Sequence, residues 1–181
     1  MQRLAVLGVF FGFAAGFAQM PYPLESTEYD LKAAFLYNFT KFIQWPPKAL
    51  PDTTRSIVIG ILGDDPIGSA LERTVLGKTV EGRGLTVRRF SSGEKPEHCH
   101  ILFISASEKN RLSRILNGLA DAGVLTVGDT ERFAVSGGMI NLVVVENRIQ
   151  LEINTEAAER AGLRLSSRLL KLAKRVQTTV E

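Results

Sequence analysis

SIVIGILGDDPIG, residues 56–68, decides the fold. Ser56 to Leu62 is β-branched and almost wholly apolar, the composition of a central strand covered on both faces rather than one. Gly63-Asp64-Asp65-Pro66 then turns the chain into a helix from about Ile67 to Leu76, with Asp65 as a cap and Pro66 in the first turn. A fully buried strand that runs straight into a helix is the start of an α/β unit.

Further along the chain the same alternation repeats. Thr79 to Gly84 reads as a loop, Leu85 to Phe90 as an alternating strand and His100 to Ser105 as a buried strand. Ser107 or Glu108 starts a helix to about Ala120, with Leu112, Ile115, Leu116 and Leu119 as its core stripe. Val124 to Val127 is the next strand, ending in Gly128-Asp129. Met139 to Val145 and Arg148 to Ile153 form a hairpin around Glu146-Asn147. Thr155 caps a short helix that Gly162 breaks, and Ser166 or Ser167 opens the last one. The expected fold is a single α/β domain: a mixed, mainly parallel sheet with helices on both faces and a C-terminal β-hairpin.

Upstream, EYDLKAAFLYNFTKFIQWP (residues 28–46) concentrates Tyr29, Phe35, Tyr37, Phe39, Phe42 and Trp45 in one amphipathic helical segment. Ser26 or Thr27 can cap it, and Pro46-Pro47 ends it. A packing role explains these aromatics. Phe39, Phe42, Ile43 and Trp45 are the candidates for a partner-binding surface if they reach solvent.

The N-terminus has Arg3, an apolar run from Leu4 to Phe17 and the small-x-small site Gly16-Phe17-Ala18. This describes a signal peptide, residues 1–18, cleaved after Ala18, with residues 19–181 as the exported domain. The run is shorter than the roughly 20 residues of a membrane span. Export to the periplasm leaves no nucleic-acid role for the charge of +3. Arg160, Arg164, Arg168, Lys171, Lys174 and Arg175 recur every three or four residues, as one basic face of a last helix, solvated or docking. Cys99 is the sole cysteine, so an internal disulfide is excluded.

Chemistry is sparse. Gly63, Asp64 and Asp129 follow strands, where α/β folds place ligands, and form a candidate ligand crevice. Capping and turn formation are the commoner uses of such acids. His98-Cys99-His100 puts both histidines on one strand face, an incomplete metal set. Gly82-x-Gly84 lacks the flanking strand and helix of a dinucleotide site. Gly137-Gly138 serves a tight chain reversal. No nucleophile, base and oxyanion hole come together, so the chain reads as non-enzymatic, with no cofactor and no metal.

Six pieces carry a resemblance: AAFLYNFTKFIQWP at 33–46, ILGDDPIG at 61–68, CHILFIS at 99–105, VLTVGD at 124–129, GGMINLV at 137–143 and SSRLLKLA at 166–173. Together they resemble the YfiR-like family of small exported α/β proteins over nearly all of the exported chain. The absence of a disulfide departs from many members. The resemblance implies a periplasmic inhibitor that binds the sensory domain of an inner-membrane diguanylate cyclase and represses cyclic di-GMP synthesis. It further implies an outer-membrane or peptidoglycan-linked protein that sequesters the inhibitor, and a homodimer. A periplasmic small-ligand receptor using Gly63, Asp64 and Asp129 is the alternative.

Overall fold

The run Ser56–Leu62 is an interior strand of an eight-stranded sheet, flanked by a parallel strand on each side. The computed structural model describes residues 24–175. In chain order these begin with helix α1 (Leu24–Phe42), strands β1 (Ile43–Gln44) and β2 (Ser56–Leu62), and helix α2 (Gly68–Val75). Strands β3 (Thr79–Val80), β4 (Arg83–Phe90) and β5 (Ile101–Ile104) follow. A 3-10 turn over Ala106–Arg111 continues into helix α3 (Leu112–Leu119). Then come strands β6 (Leu125–Gly128), β7 (Ile140–Val145) and β8 (Arg148–Ile153). Helix α4 (Thr155–Arg160), strand β9 (Arg164–Leu165), helix α5 (Ser167–Lys171) and strand β10 (Ala173–Arg175) complete the described chain. The proposed signal peptide lies outside the described residues, and no helix among them is long and apolar enough to cross a membrane.

The sheet order is β10-β8-β7-β6-β5-β2-β4-β3. Strands β4, β2, β5, β6 and β7 run parallel, β3 and β8 pair antiparallel with β4 and β7, and β10 pairs parallel with β8. Numbered by sequence, the parallel core reads 2-1-3-4-5, a doubly wound arrangement that reverses direction between β2 and β5.

Period-two alternation divides the core into two layers. Ile59, Ile61, Ile101, Phe103, Leu125 and Val127 face α1 and α2. Leu62, Leu102 and Ile104 face α3, together with Phe90 and Phe133. Helix α2 makes the β2–β4 crossover and α3 the β5–β6 crossover. The β4–β5 connection, residues 91–100, contains no helix.

Local chemistry explains the turns. Glu146 and Asn147 both have positive φ (49° and 61°), the two-residue geometry that matches strand twist in a hairpin. Asp65 accepts a hydrogen bond from the amide of Gly68, the first residue of α2, although Ile67 and not Asp65 occupies the cap position. The Phe133 ring lies where a Cβ on Gly128 or Gly138 would sit, so these glycines serve close packing as well as the turn at Gly137.

Several expectations need correction. Helix α1 starts at Leu24, so Ser26 and Thr27 lie inside it. It ends at Phe42, before the prolines, because Ile43 and Gln44 pair with β9 and the Ser166 amide donates to the Phe42 carbonyl. Asn154, not Thr155, caps α4 through a hydrogen bond from the Ala157 amide. Residues 79–84 hold the β3–β4 hairpin rather than a loop. The basic residues from Arg160 to Arg175 do not share one helix: they are distributed over α4, β9, α5 and β10. Gly162, with φ of 75°, ends the first of these helices, and pairing with β8 holds Ala173–Arg175 extended.

Candidate functional site

At the carboxyl ends of the parallel strands, Asp129 follows β6 and meets Lys32 of α1. The Lys32 ammonium lies 2.6 Å from Asp129 Oδ2 and 2.5 Å from Glu28 Oε1. Its residue is only 3% exposed, and its Nζ also sits 4.7 Å from the Tyr29 ring centroid. Burial alone would lower the lysine pKa, but hydrogen bonds and charge from Asp129 and Glu28 outweigh it and hold the pKa above its ordinary value. Lys32 therefore stays charged, and Asp129 is engaged in holding α1 against the sheet.

Gly63 and Asp64 follow β2 at the point where the strand order reverses. The Asp64 amide donates to Ser107 Oγ at 3.0 Å, which ties this turn to the segment after β5. Next to it, Asp65 and Glu72 both bind Arg89, whose guanidinium is held firmly protonated by the two carboxylates. Gly63, Asp64 and Asp129 thus share the same end of the sheet. Asp64 is exposed, and Asp129 is held by Lys32.

Of the aromatic-segment candidates, Phe39 and Ile43 are core residues, 1% and 6% exposed. Phe42 and Trp45 are half-buried and pack against that core. The Trp45 indole N–H donates to the His100 carbonyl at 3.2 Å, and its ring meets the imidazole edge-on. His100 Nδ1 in turn accepts from the Val58 amide at 2.9 Å. Burial pushes the His100 pKa below its ordinary value, which keeps that nitrogen an acceptor.

His98 and His100 do not share a strand face. His98 has a φ of 57° in an exposed turn before β5, whereas His100 is buried. Cys99 is buried between them and its thiol is pushed up to about 12 by desolvation, which keeps it protonated. Among the described residues, no cluster of three or more histidine, cysteine or acidic side chains could hold a metal.

A concavity lies at the opposite, amino ends of the strands. It is an open groove of about 1060 Å³ on the α3 face of the sheet, walled by α3 and residues 93–98 and floored by Ser56 and Val58 of β2. Arg111 on its wall donates to Ser92 Oγ at 2.7 Å and lies 3.3 Å from the buried Glu108 carboxylate. Lys48, Lys95 and Arg114 also line the groove, and all three are exposed. Sequence reasoning missed this groove and the Lys32 cluster.

Comparison with known proteins places the chain. The structure is similar to the crystal structure of a conserved domain protein from Vibrio cholerae O1 biovar eltor, with a TM-score of 0.51 at 13% identity. The match covers 86% of this chain and 60% of that one, so this chain spans less than two thirds of its neighbour, and the likeness is one of fold. No curated protein matches the chain. The family model described as YfiR/HmsC-like matches residues 29–174, from the first turns of α1 into β10. The chain belongs to the YfiR/HmsC-like family, a family of periplasmic regulatory proteins.

Proposed function

We propose that this protein is a non-enzymatic periplasmic inhibitor. It binds the periplasmic sensory domain of an inner-membrane diguanylate cyclase and thereby represses cyclic di-GMP synthesis. The observation that carries the reading is the match to a regulatory family over residues 29–174. Local geometry supports it: Asp129 is tied to Lys32, Asp65 to an amide and Arg89, and the Cys99 thiol is buried and protonated.

Inhibition of this kind is differential binding. The protein must favour the inactive state of the cyclase, because equal affinity for both states shifts nothing. A sequestering protein linked to the outer membrane or peptidoglycan would relieve the brake by competing for the inhibitor. Deleting the protein in its host tests the reading. Cyclic di-GMP should rise several-fold, and an unchanged level in a strain that expresses both protein and cyclase overturns it.

The receptor reading finds some support in Gly63 and Asp64, which stand at the reversal point of the strand order, where doubly wound sheets bind ligands. It is the weaker of the two, since Asp129, its third residue, already neutralises a buried lysine.

A further inference from the structure

Right-handed crossovers dictate where the β4–β5 connection must pass. Helix α2 carries the chain outward from β2 to β4 on one face, so the return to β5 belongs on the other, beside α3. In a doubly wound sheet that return normally carries a helix. Here residues 91–100 make it without one. Val58, in the amino-terminal half of the interior strand β2, is left partly exposed, and Thr86 and Arg88 beside it on β4 are exposed. The groove is the berth of the absent helix.

We propose that this groove seats an amphipathic helix with acidic flanks, presented by a partner protein. The inference rests on the reading that the protein acts by docking, and it assigns the surface. Size fits: at ~10 Å across and ~1.5 Å rise per residue, two to three turns of helix fill a groove of about 1060 Å³. The wall fits as well. Arg114, Ile115 and Gly118 repeat at helical spacing along the groove side of α3, and Arg111 lines the groove from the turn just before it.

Gly118 weakens the helix it belongs to, yet a Cβ there would meet nothing within 4 Å. Nothing within the described chain requires a glycine at this position, whereas a second helix packed at ~8–10 Å does favour a small residue at the crossing. Charge selects the occupant. Four cations, Lys48, Lys95, Arg111 and Arg114, line the groove against two acids, Glu94 and Glu97. The side chains of Lys48, Lys95 and Arg114 have no ionic or hydrogen-bond partner among the described residues. A partner helix carrying Asp or Glu beside its apolar stripe supplies the missing counter-charges.

The test places a photo-crosslinking amino acid at position 118 of the exported, full-length protein in its own host. The exposed hairpin position 148 serves as control. The expected result is a crosslink from 118, and not from 148, into an acidic amphipathic segment of another protein. Its yield should fall at least tenfold in the variant carrying Lys48→Glu, Lys95→Glu and Arg114→Glu, whose melting temperature is checked against the parent. No crosslink at 118, a crosslink into the chain's own terminal residues, a second copy or lipid, or an undiminished yield in the folded triple variant overturns the assignment. Capture of an acidic helix at 118 with cyclic di-GMP unchanged on deletion upholds the groove and overturns the cyclase reading. Cyclic di-GMP that rises on deletion without a crosslink at 118 does the reverse.

Discussion

Lys32 Nζ lies 2.6 Å from Asp129 Oδ2, joining α1 to the end of β6 across 97 residues of sequence. The lysine is almost fully buried, so its charge is sustained by Asp129 and Glu28 rather than by water. Removing one partner of such a pair leaves a buried charge undercompensated, whereas removing both removes the problem with the pair. Asp129→Ala is expected to lower unfolding free energy by about 3 kcal/mol. Combined with Lys32→Met, the loss should be smaller than the sum of the two single losses. Urea denaturation of the four proteins in this cycle measures the coupling, and strict additivity would show that the contact is energetically idle.

His100 makes stability depend on pH. Its folded pKa lies below the ordinary 6.5 because of burial, so the unfolded chain takes up the proton first. The contribution is fully present above the unfolded value and is lost as pH falls from about 6.5 towards the folded pKa. His100→Asn, which keeps an acceptor for the Val58 amide, should flatten stability between pH 7 and 5 by up to ~1.4 kcal/mol per pH unit, the effect of one proton. Identical slopes in parent and variant would remove His100 from the explanation.

The Phe133 ring fits against Gly128 and Gly138 with no room for a methyl group. Gly138→Ala should cost about 2 kcal/mol by overpacking. Adding Phe133→Leu should recover part of that loss, since the smaller side chain makes room. A Gly138→Ala protein with the parental melting temperature would contradict the packing described here.

Gly118 is expected to behave in the opposite way. With open space around its Cα, Gly118→Ala should stabilise the isolated protein by up to about 1 kcal/mol through helix propensity alone. Thermal and urea unfolding both read this directly, and a destabilised variant would mean that the position is constrained from within the chain.

These sites differ in how much of them the sequence reveals. Ser56–Leu62 reads as a buried central strand because its apolar run is unbroken, and it forms over those same residues. The Glu146-Asn147 hairpin is legible from two strand-like runs separated by only two residues. Two-residue strands such as β1, β3 and β9 carry no period to detect. The basic C-terminal residues mimic a helix face because a spacing of three or four ignores the break at Gly162 and the pairing of β10 with β8. Lys32, between Leu31 and Ala33, gives no local hint of a partner at Asp129. The groove was hidden for another reason: it comes from a helix that the β4–β5 connection lacks. The available signal was the shortness of residues 91–100, SSGEKPEHCH, at the lower limit of a helical crossover of roughly 10–12 residues.

The central claim is that this protein restrains a cyclase from the periplasmic side. The most direct measurement is cellular cyclic di-GMP in the deletion strain, complemented either with the full chain or with a form lacking residues 1–18. Both forms are brought to equal abundance. The full chain should restore the low parental level and the leaderless form should leave it raised. Equal restoration by the two forms would place the action in the cytoplasm and contradict the claim.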